Sequence, residues 1–183
     1  MIKSKRKQIE KQAVQVLTDS GALRVPVPID RVVHHMKLSA TATNFGDDVS
    51  GILVVEKKRA AIGYNMSHAP VRQRFTIAHE IGHYVLHAKN SAQSHLFIDK
   101  HVTYRRDGLS STGNDQQEVE ANAFAAALLM PEKLIRKEIE KQDFDLDDDD
   151  DIDKLAKIFN VSTTAMANRL ANLELLREAI LLR

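Results

Sequence analysis

Apolar positions along this chain fall into helical stripes at its two ends and in its middle, with short alternating runs between them. From residue 4 to 19, Ile9, Ala13, Val16 and Leu17 share one stripe and Lys, Arg and Gln fill the rest, which predicts an amphipathic helix ended by Ser20-Gly21. Val25-Pro26-Val27-Pro28 is held extended, because each proline restrains the residue before it. Asp30 reads as the N-cap of a short helix to about Met36. Three strands are predicted next, Leu38–Thr43, Gly51–Glu56 and Ala60–Tyr64, separated by the turn cluster Asn44–Asp48 and by Lys57-Lys58. They predict a small antiparallel sheet whose edge can offer backbone groups to an extended peptide.

A helix is predicted from Val71 to Ala88, opened by Pro70, with Phe75, Ala78, Ile81, Val85 and Leu86 as its apolar positions. Residues 91–113 are polar and lack periodicity, which predicts a long loop lying over this helix. A helix from about Asp115 to Met130 follows, stopped by Pro131, and another spans 132–142. The acidic run Phe144–Asp153 reads as a solvated linker or as charge gathered at a helix N-terminus. It lacks the central Gly and terminal Glu of an EF-hand loop. Leu155 to Leu170 then reads as helix, turn, helix, with Ser162 capping the second, similar to a helix-turn-helix unit. Asn172–Arg183 is Leu-rich and predicted helical.

The middle helix carries His79-Glu80-Ile81-Gly82-His83, an H-E-x-x-H pattern. One helical turn, roughly 6 Å of rise, separates two imidazoles on one face, so both can ligate one Zn²⁺, with Glu80 beside them as general base for the attacking water. A third ligand must come from elsewhere. The three-histidine extension needs Gly at 86 and His at 89, where this chain has Leu86 and Lys89. His87 cannot join His79 and His83 on one ion from a single straight helix and is read as structural or as a support behind a liganding group. In the next helix Glu118 and Glu120 point different ways. Glu118 shares its face with the small residues Ala121, Asn122 and Ala125 and is the predicted third ligand, giving a His₂Glu site with an open position. Asn122, one turn on, is placed to hydrogen-bond a liganding histidine.

Composition narrows the chemistry. The 183-residue chain has no cysteine, so thiolate metal sites and disulfides are excluded. A net charge of +1 with 43% hydrophobic and 28% charged residues points to neither nucleic acid nor membrane as a bulk partner. No apolar core follows the basic Met1–Lys7, and no 18-residue apolar run occurs, so a cytoplasmic location is expected. As a DNA reader the second helix of the C-terminal pair offers only Asn168 and Arg169, so DNA binding is not favoured.

Arg72 to His87 and Glu118 to Pro131, with Val27-Pro28-Ile29-Asp30, Ser50-Gly51, Ala60–Asn65 and Val161–Leu170, resemble the ImmA/IrrE family of zinc metallopeptidases over about residues 10–175. The resemblance implies a thermolysin-like layout with His79, His83 and Glu118 on zinc and Glu80 as base. It also implies regulated cleavage of an XRE-type helix-turn-helix repressor, in mobile elements or stress responses. The longer family members carry a further sensor domain, for which this chain has no room. For the group that stabilises the oxyanion, Tyr84, His95, Tyr104 and Arg105 stand open, with His95 and Tyr104 in the segment expected to overhang the site. The expected fold is α+β: a mostly helical zincin-like core, a small three-stranded antiparallel sheet and a C-terminal helix-turn-helix-like unit. The expected division is 1–142 for the peptidase domain and 143–183 for the acidic linker and C-terminal helices, packed on the same domain. The rival function is a non-catalytic regulator or interaction protein, such as a toxin–antitoxin component or a DNA-binding regulator. Oligomeric state is not legible in the sequence.

Overall fold

A computed structural model describes residues 2–56, 59–89, 91, 93–100 and 112–176. Its elements in chain order are α1 (Lys3–Asp19), α2 (Ile29–His35), β1 (Ser39–Thr43), β2 (Val49–Glu56), β3 (Arg59–Asn65), α3 (Pro70–His83), β4 (His95–Lys100), α4 (Thr112–Leu129), α5 (Glu132–Gln142), α6 (Asp149–Phe159) and α7 (Thr163–Asn172). A π-helical turn, Tyr84–Ala88, continues α3. The class is α+β and mostly helical, as the patterning predicts.

The sheet departs from expectation in two ways. It has four strands in the order β1-β3-β2-β4, and it is mixed: β1 runs parallel to β3, while β2 is antiparallel to β3 and to β4. Strand β4 lies inside the segment read as a loop. Its alternation is real, with Leu96 and Ile98 exposed and His95, Phe97 and Asp99 half-buried, but the inward face carries His and Asp. The alternation of apolar and polar residues expected of a half-buried strand is therefore inverted, with apolar Leu96 and Ile98 on the outer face. The parallel pairing arises because Asn44–Asp48 is not a hairpin turn. Buried Asn65, at the end of β3, donates from Nδ2 to the carbonyls of Gly46 and Val49 at 2.6 and 2.8 Å, pinning a wide connection that leaves room for β3 between β1 and β2.

Helix ends follow their local chemistry. Pro70 opens α3, Gly21 at φ +62° follows α1, and Ser162 caps α7 by accepting from the Ala165 N–H. The acidic run is partly the start of a helix: Asp148 accepts from the Asp150 N–H and Asp149–Asp151 form the first turn of α6, where the helix dipole favours negative charge.

One apolar core joins Leu17 of α1, Leu53 and Ile62 of the sheet, Ile81 of α3, Phe124 of α4, Phe159 of α6 and Leu170 of α7. Polar ties cross it. Arg74 on α3 donates to the carbonyls of Val27 and Asn160. Arg169 on α7, 3% exposed, donates from Nε to the Met130 carbonyl at 3.0 Å and clasps the Glu10 carboxylate on α1 with both terminal nitrogens, Nη2 at 2.9 Å. From Thr76 to His83 every residue of α3 is buried, so the motif helix is the central element, with the sheet and α4 packed against it.

Candidate metal and hydrolytic site

Helices α3 and α4 lie antiparallel, since His83 meets Glu118 and His79 meets Asn122. Gly82 sets how close they come: a Cβ there would stand 3.0 Å from the Ala121 carbonyl oxygen and 3.2 Å from Phe124 Cβ. At this spacing His79 Nε2 lies 3.1 Å and His83 Nε2 3.2 Å from the Glu118 carboxylate, and the two ring nitrogens are 2.9 Å apart. The histidines are 2% and 1% exposed, while the Glu118 side chain, at 43%, keeps one side of the group open.

The donor set fits a divalent ion. Asn122 Oδ1 can only accept, so it takes the His79 Nδ1–H at 3.0 Å and leaves the Nε2 lone pair facing Glu118 and His83. Atoms carrying lone pairs converge in a buried place, an arrangement stable only with positive charge between them. Tetrahedral bonds of about 2.1 Å put donors about 3.4 Å apart, a few tenths of an ångström wider than the separations here. Without an ion, protons take that role. Burial works against charge on His79, but the hydrogen bond it donates to Glu118 and the nearby carboxylates outweigh it and raise its pKa. Burial likewise opposes charge on Glu118, and the bonds from both imidazoles override it, pulling the carboxyl down to about 2.

Glu80 has a different environment. It is 0% exposed, neither oxygen has a hydrogen-bond partner, and burial pushes its pKa up to about 8. Its space comes from Gly51 on β2, where a Cβ would stand 2.4 Å from Thr76 Cγ2 and 2.7 Å from Glu80 Oε1. Strand β4 closes the group from above. Phe97 stacks on His83 with ring centroids 4.6 Å apart, and two residues on Asp99 reaches the same place. Donor atoms of His79, Glu80 and Asp99 lie within 4.8 Å of one another. Burial raises the Asp99 pKa as well. The sequence reading missed Asp99; the signal was the alternation His95-x-Phe97-x-Asp99.

Of the residues considered for the oxyanion, His95 sits on β4, stacked on Phe97, with Nε2 buried and without a hydrogen-bond partner. It lines a cavity of about 260 Å³ together with His87, Gln117 and Glu118. Tyr84 opens the π-helical turn. Tyr104 and Arg105 lie outside the described residues. His87 takes no part in the cluster of donors. Its Nε2 faces buried Glu120 at 3.9 Å, and Glu120 is paired with Lys5 at 3.2 Å. Burial, then the neighbouring His83, lowers the His87 pKa.

Comparison with known proteins agrees with this geometry. Over 77 residues the chain is 39% identical to the radiation response metalloprotease IrrE of Deinococcus radiodurans, a match covering 42% of this chain and 21% of that protein. The chain thus spans about a fifth of that relative's length. The solved structure of a Mycobacterium tuberculosis transcriptional regulator superposes with a TM-score of 0.54 over 93% of this chain and 47% of that one, at 15% identity, a likeness of fold. Residues 32–171 match the IrrE N-terminal-like domain, so the chain belongs to that family, the Peptidase M78 metalloproteases.

Proposed function

We propose that this chain is a zinc-dependent endopeptidase that cleaves a protein substrate, a repressor of the XRE helix-turn-helix type. The observation that carries the reading is the convergence of His79, His83 and Glu118 beside a buried, unpartnered Glu80. His79 and His83 Nε2 and the Glu118 carboxylate would hold the ion. Zinc is the divalent ion that two imidazoles and one carboxylate suit, and when bound it supplies the positive charge that acidifies water and polarises a carbonyl.

The chain's own residues do the rest. Asn122 fixes the His79 tautomer and ring orientation. Glu80 accepts the proton of the attacking water and returns it to the departing amine, from a buried position that keeps bulk water from competing for that proton. His95, with an unpartnered Nε2 beside Glu118, is the described residue best placed to donate to the oxygen of the tetrahedral intermediate. Among the described residues strand β4 pairs only with β2, so its outer edge offers backbone groups to an extended segment laid beside Asp99 and Phe97. A groove of about 680 Å³ lined by Val71, Phe75, Val119, Ala123 and Met130 starts beside Asn122 and offers room for apolar side chains.

The repressor as substrate rests on the family resemblance; the relative's designation as a radiation response metalloprotease supports the peptidase reading alone. The DNA-reading alternative is weakened by Arg169, one of its two groove-facing residues, which is buried on Glu10. No helix among the described residues is long and apolar enough to cross a membrane. The test is elemental analysis of protein purified without chelator, followed by incubation with a purified XRE-type repressor. The expected result is about one zinc per chain, lost in Glu118→Ala, with cleavage by the native chain and none by Glu80→Gln, which keeps its zinc. Turnover in Glu80→Gln refutes the base assignment, and no zinc uptake refutes the metal site.

A further inference from the structure

The Leu-rich stretch after α7 plays no part in the site described above, but its root is fixed close to it. Leu175 is buried in the core and Leu176 packs against it, while Glu174, at φ 63°, turns the chain out of α7 and pairs with Lys3 of α1. Helix α7 runs antiparallel to α1, because Arg169 meets Glu10 and the Asn172 carbonyl accepts from Arg6. Helix α1 in turn brings Lys5 to Glu120, two residues from Glu118. The chain therefore leaves α7 at the same end of α4 as the metal donors. Its next residues, which lie outside the described ones, read Arg177-Glu178-Ala179-Ile180-Leu181-Leu182-Arg183. Four apolar residues in a row, bounded by charges, gain free energy by covering apolar surface.

We propose that the groove of about 680 Å³ bounded by α1, α3, α4 and α7 is the docking site of the chain's own segment Ala179–Leu182. Its apolar lining is Val71, Phe75, Val119, Ala123, Ala126 and Met130, and Val119, next to Glu118, is 49% exposed. Asn172 and Arg6 also line it, so the groove opens where the chain leaves α7. Reach is sufficient in either backbone form. Seven residues span roughly 24 Å extended and about 10 Å as a helix, against about 16 Å along α4 from Val119 to Met130. Arg6 at the mouth offers an opposite charge to Glu178, which precedes the apolar run. Tethering gives the segment an effective concentration in roughly the millimolar range, so a modest apolar contact holds it in place. The consequence for hydrolysis rests on the function proposed above. The docked segment occupies the space for the substrate's apolar side chains beside Asn122, and a substrate enters only by displacing it.

The test exploits a chain without cysteine. In the full chain Ala126→Cys puts a single thiol in the groove, and its rate of reaction with a bulky fluorescent maleimide reports whether the groove is covered. Adding Leu181→Asp removes a leucine side chain from the docked contact, a loss worth at least the ~1.4 kcal/mol of a tenfold change, so labelling is expected to speed up roughly tenfold. Leu181→Met keeps the apolar side chain and is expected to label as slowly as the parent. Equal rates with and without Leu181→Asp overturn the proposal. So does a parent rate that rises on dilution, because a second copy then fills the groove. If Leu181→Asp fails to fold, Ile180→Ser is read in the same way. Cleavage of the repressor is scored separately, in the chain without the added thiol. There Leu181→Asp is expected to lower KM by about the same factor with kcat unchanged, and an unchanged KM in a variant that labels faster overturns the covering of the substrate's path. A chain that binds no zinc or cuts nothing refutes the preceding reading, and the labelling rates still decide the docking.

Discussion

Replacing Gly82 with alanine tests whether the spacing of α3 and α4 builds the metal site. The added methyl would meet the Ala121 carbonyl oxygen at 3.0 Å, Ala121 Cα at 3.1 Å and Phe124 Cβ at 3.2 Å. Carbon contacts settle at about 3.5–4.0 Å, so α4 must withdraw by roughly 0.5 Å. The methyl presses on backbone atoms of α4 in a core where Phe124, Ala125 and Leu128 are fully buried, so no flexible side chain can give way instead. Such overpacking costs about 1–3 kcal/mol of stability. Glu118 sits on the same helix, one turn before Asn122, and moves with it. Metal bonds tolerate about 0.2 Å, so the third donor leaves its range while the Asn122 support of His79 lengthens. Zinc affinity is expected to fall roughly 10–100-fold, the scale seen when supports around a metal are disturbed. Competition with a chromophoric chelator measures it, beside thermal melting of the metal-free protein. A variant that melts lower yet binds zinc as tightly as wild type refutes the link between helix spacing and the site. A variant unchanged in both refutes the close approach itself.

Asn122→Ala frees the His79 tautomer and is expected to weaken zinc roughly tenfold or more with little change in fold, read by the same competition assay and by circular dichroism. Arg169→Ala leaves Glu10 without its partner and the Met130 carbonyl without its donor, costing about 3 kcal/mol in urea denaturation; an unchanged midpoint would mean that α7 is not held to α1 by this pair. In metal-free protein Glu80 has its pKa raised from 4.5 to about 8. Its folded value lies above its unfolded one, so its contribution to stability is full below 4.5 and is lost as pH rises through about 8. The urea midpoint of metal-free wild type should therefore fall across that window relative to Glu80→Gln, and parallel curves would contradict the burial argument. Glu118, held down to about 2, acts only at the acid end, stabilising above its unfolded value of 4.5 and losing that effect as pH falls.

The helices and the convergence of His79, His83 and Glu118 were legible because their signals are local. H-E-x-x-H places two imidazoles by helical pitch alone, and the small face of Ala121, Asn122 and Ala125 singled out Glu118 over Glu120. Structure and pattern agree there because one period governs both. The fourth strand was not legible, since its apolar residues Leu96 and Ile98 face outward and two of its three inward positions are His95 and Asp99. The parallel pairing of β1 was hidden for a related reason: it depends on buried Asn65, whose hydrogen bonds to Gly46 and Val49 look in sequence like an ordinary polar residue at a strand end.

Two glycines carry the lesson furthest. A reading that ranks residues by the chemistry they offer gives Gly51 and Gly82 no place, yet each fixes where a carboxylate sits. Gly82 lets α4 bring Glu118 to the histidines, and Gly51 opens the space that Glu80 fills beside Asp99. Neither needs an unusual backbone; among the described residues the glycines at positive φ are Gly21 and Gly46. Both act through the Cβ they lack, a property visible only when the neighbouring element is known. The chemistry of this site is written in histidine and glutamate, but its geometry is written in the residues that stay out of the way. Substitutions at those two positions should therefore alter metal binding and proton transfer without replacing a single donor residue.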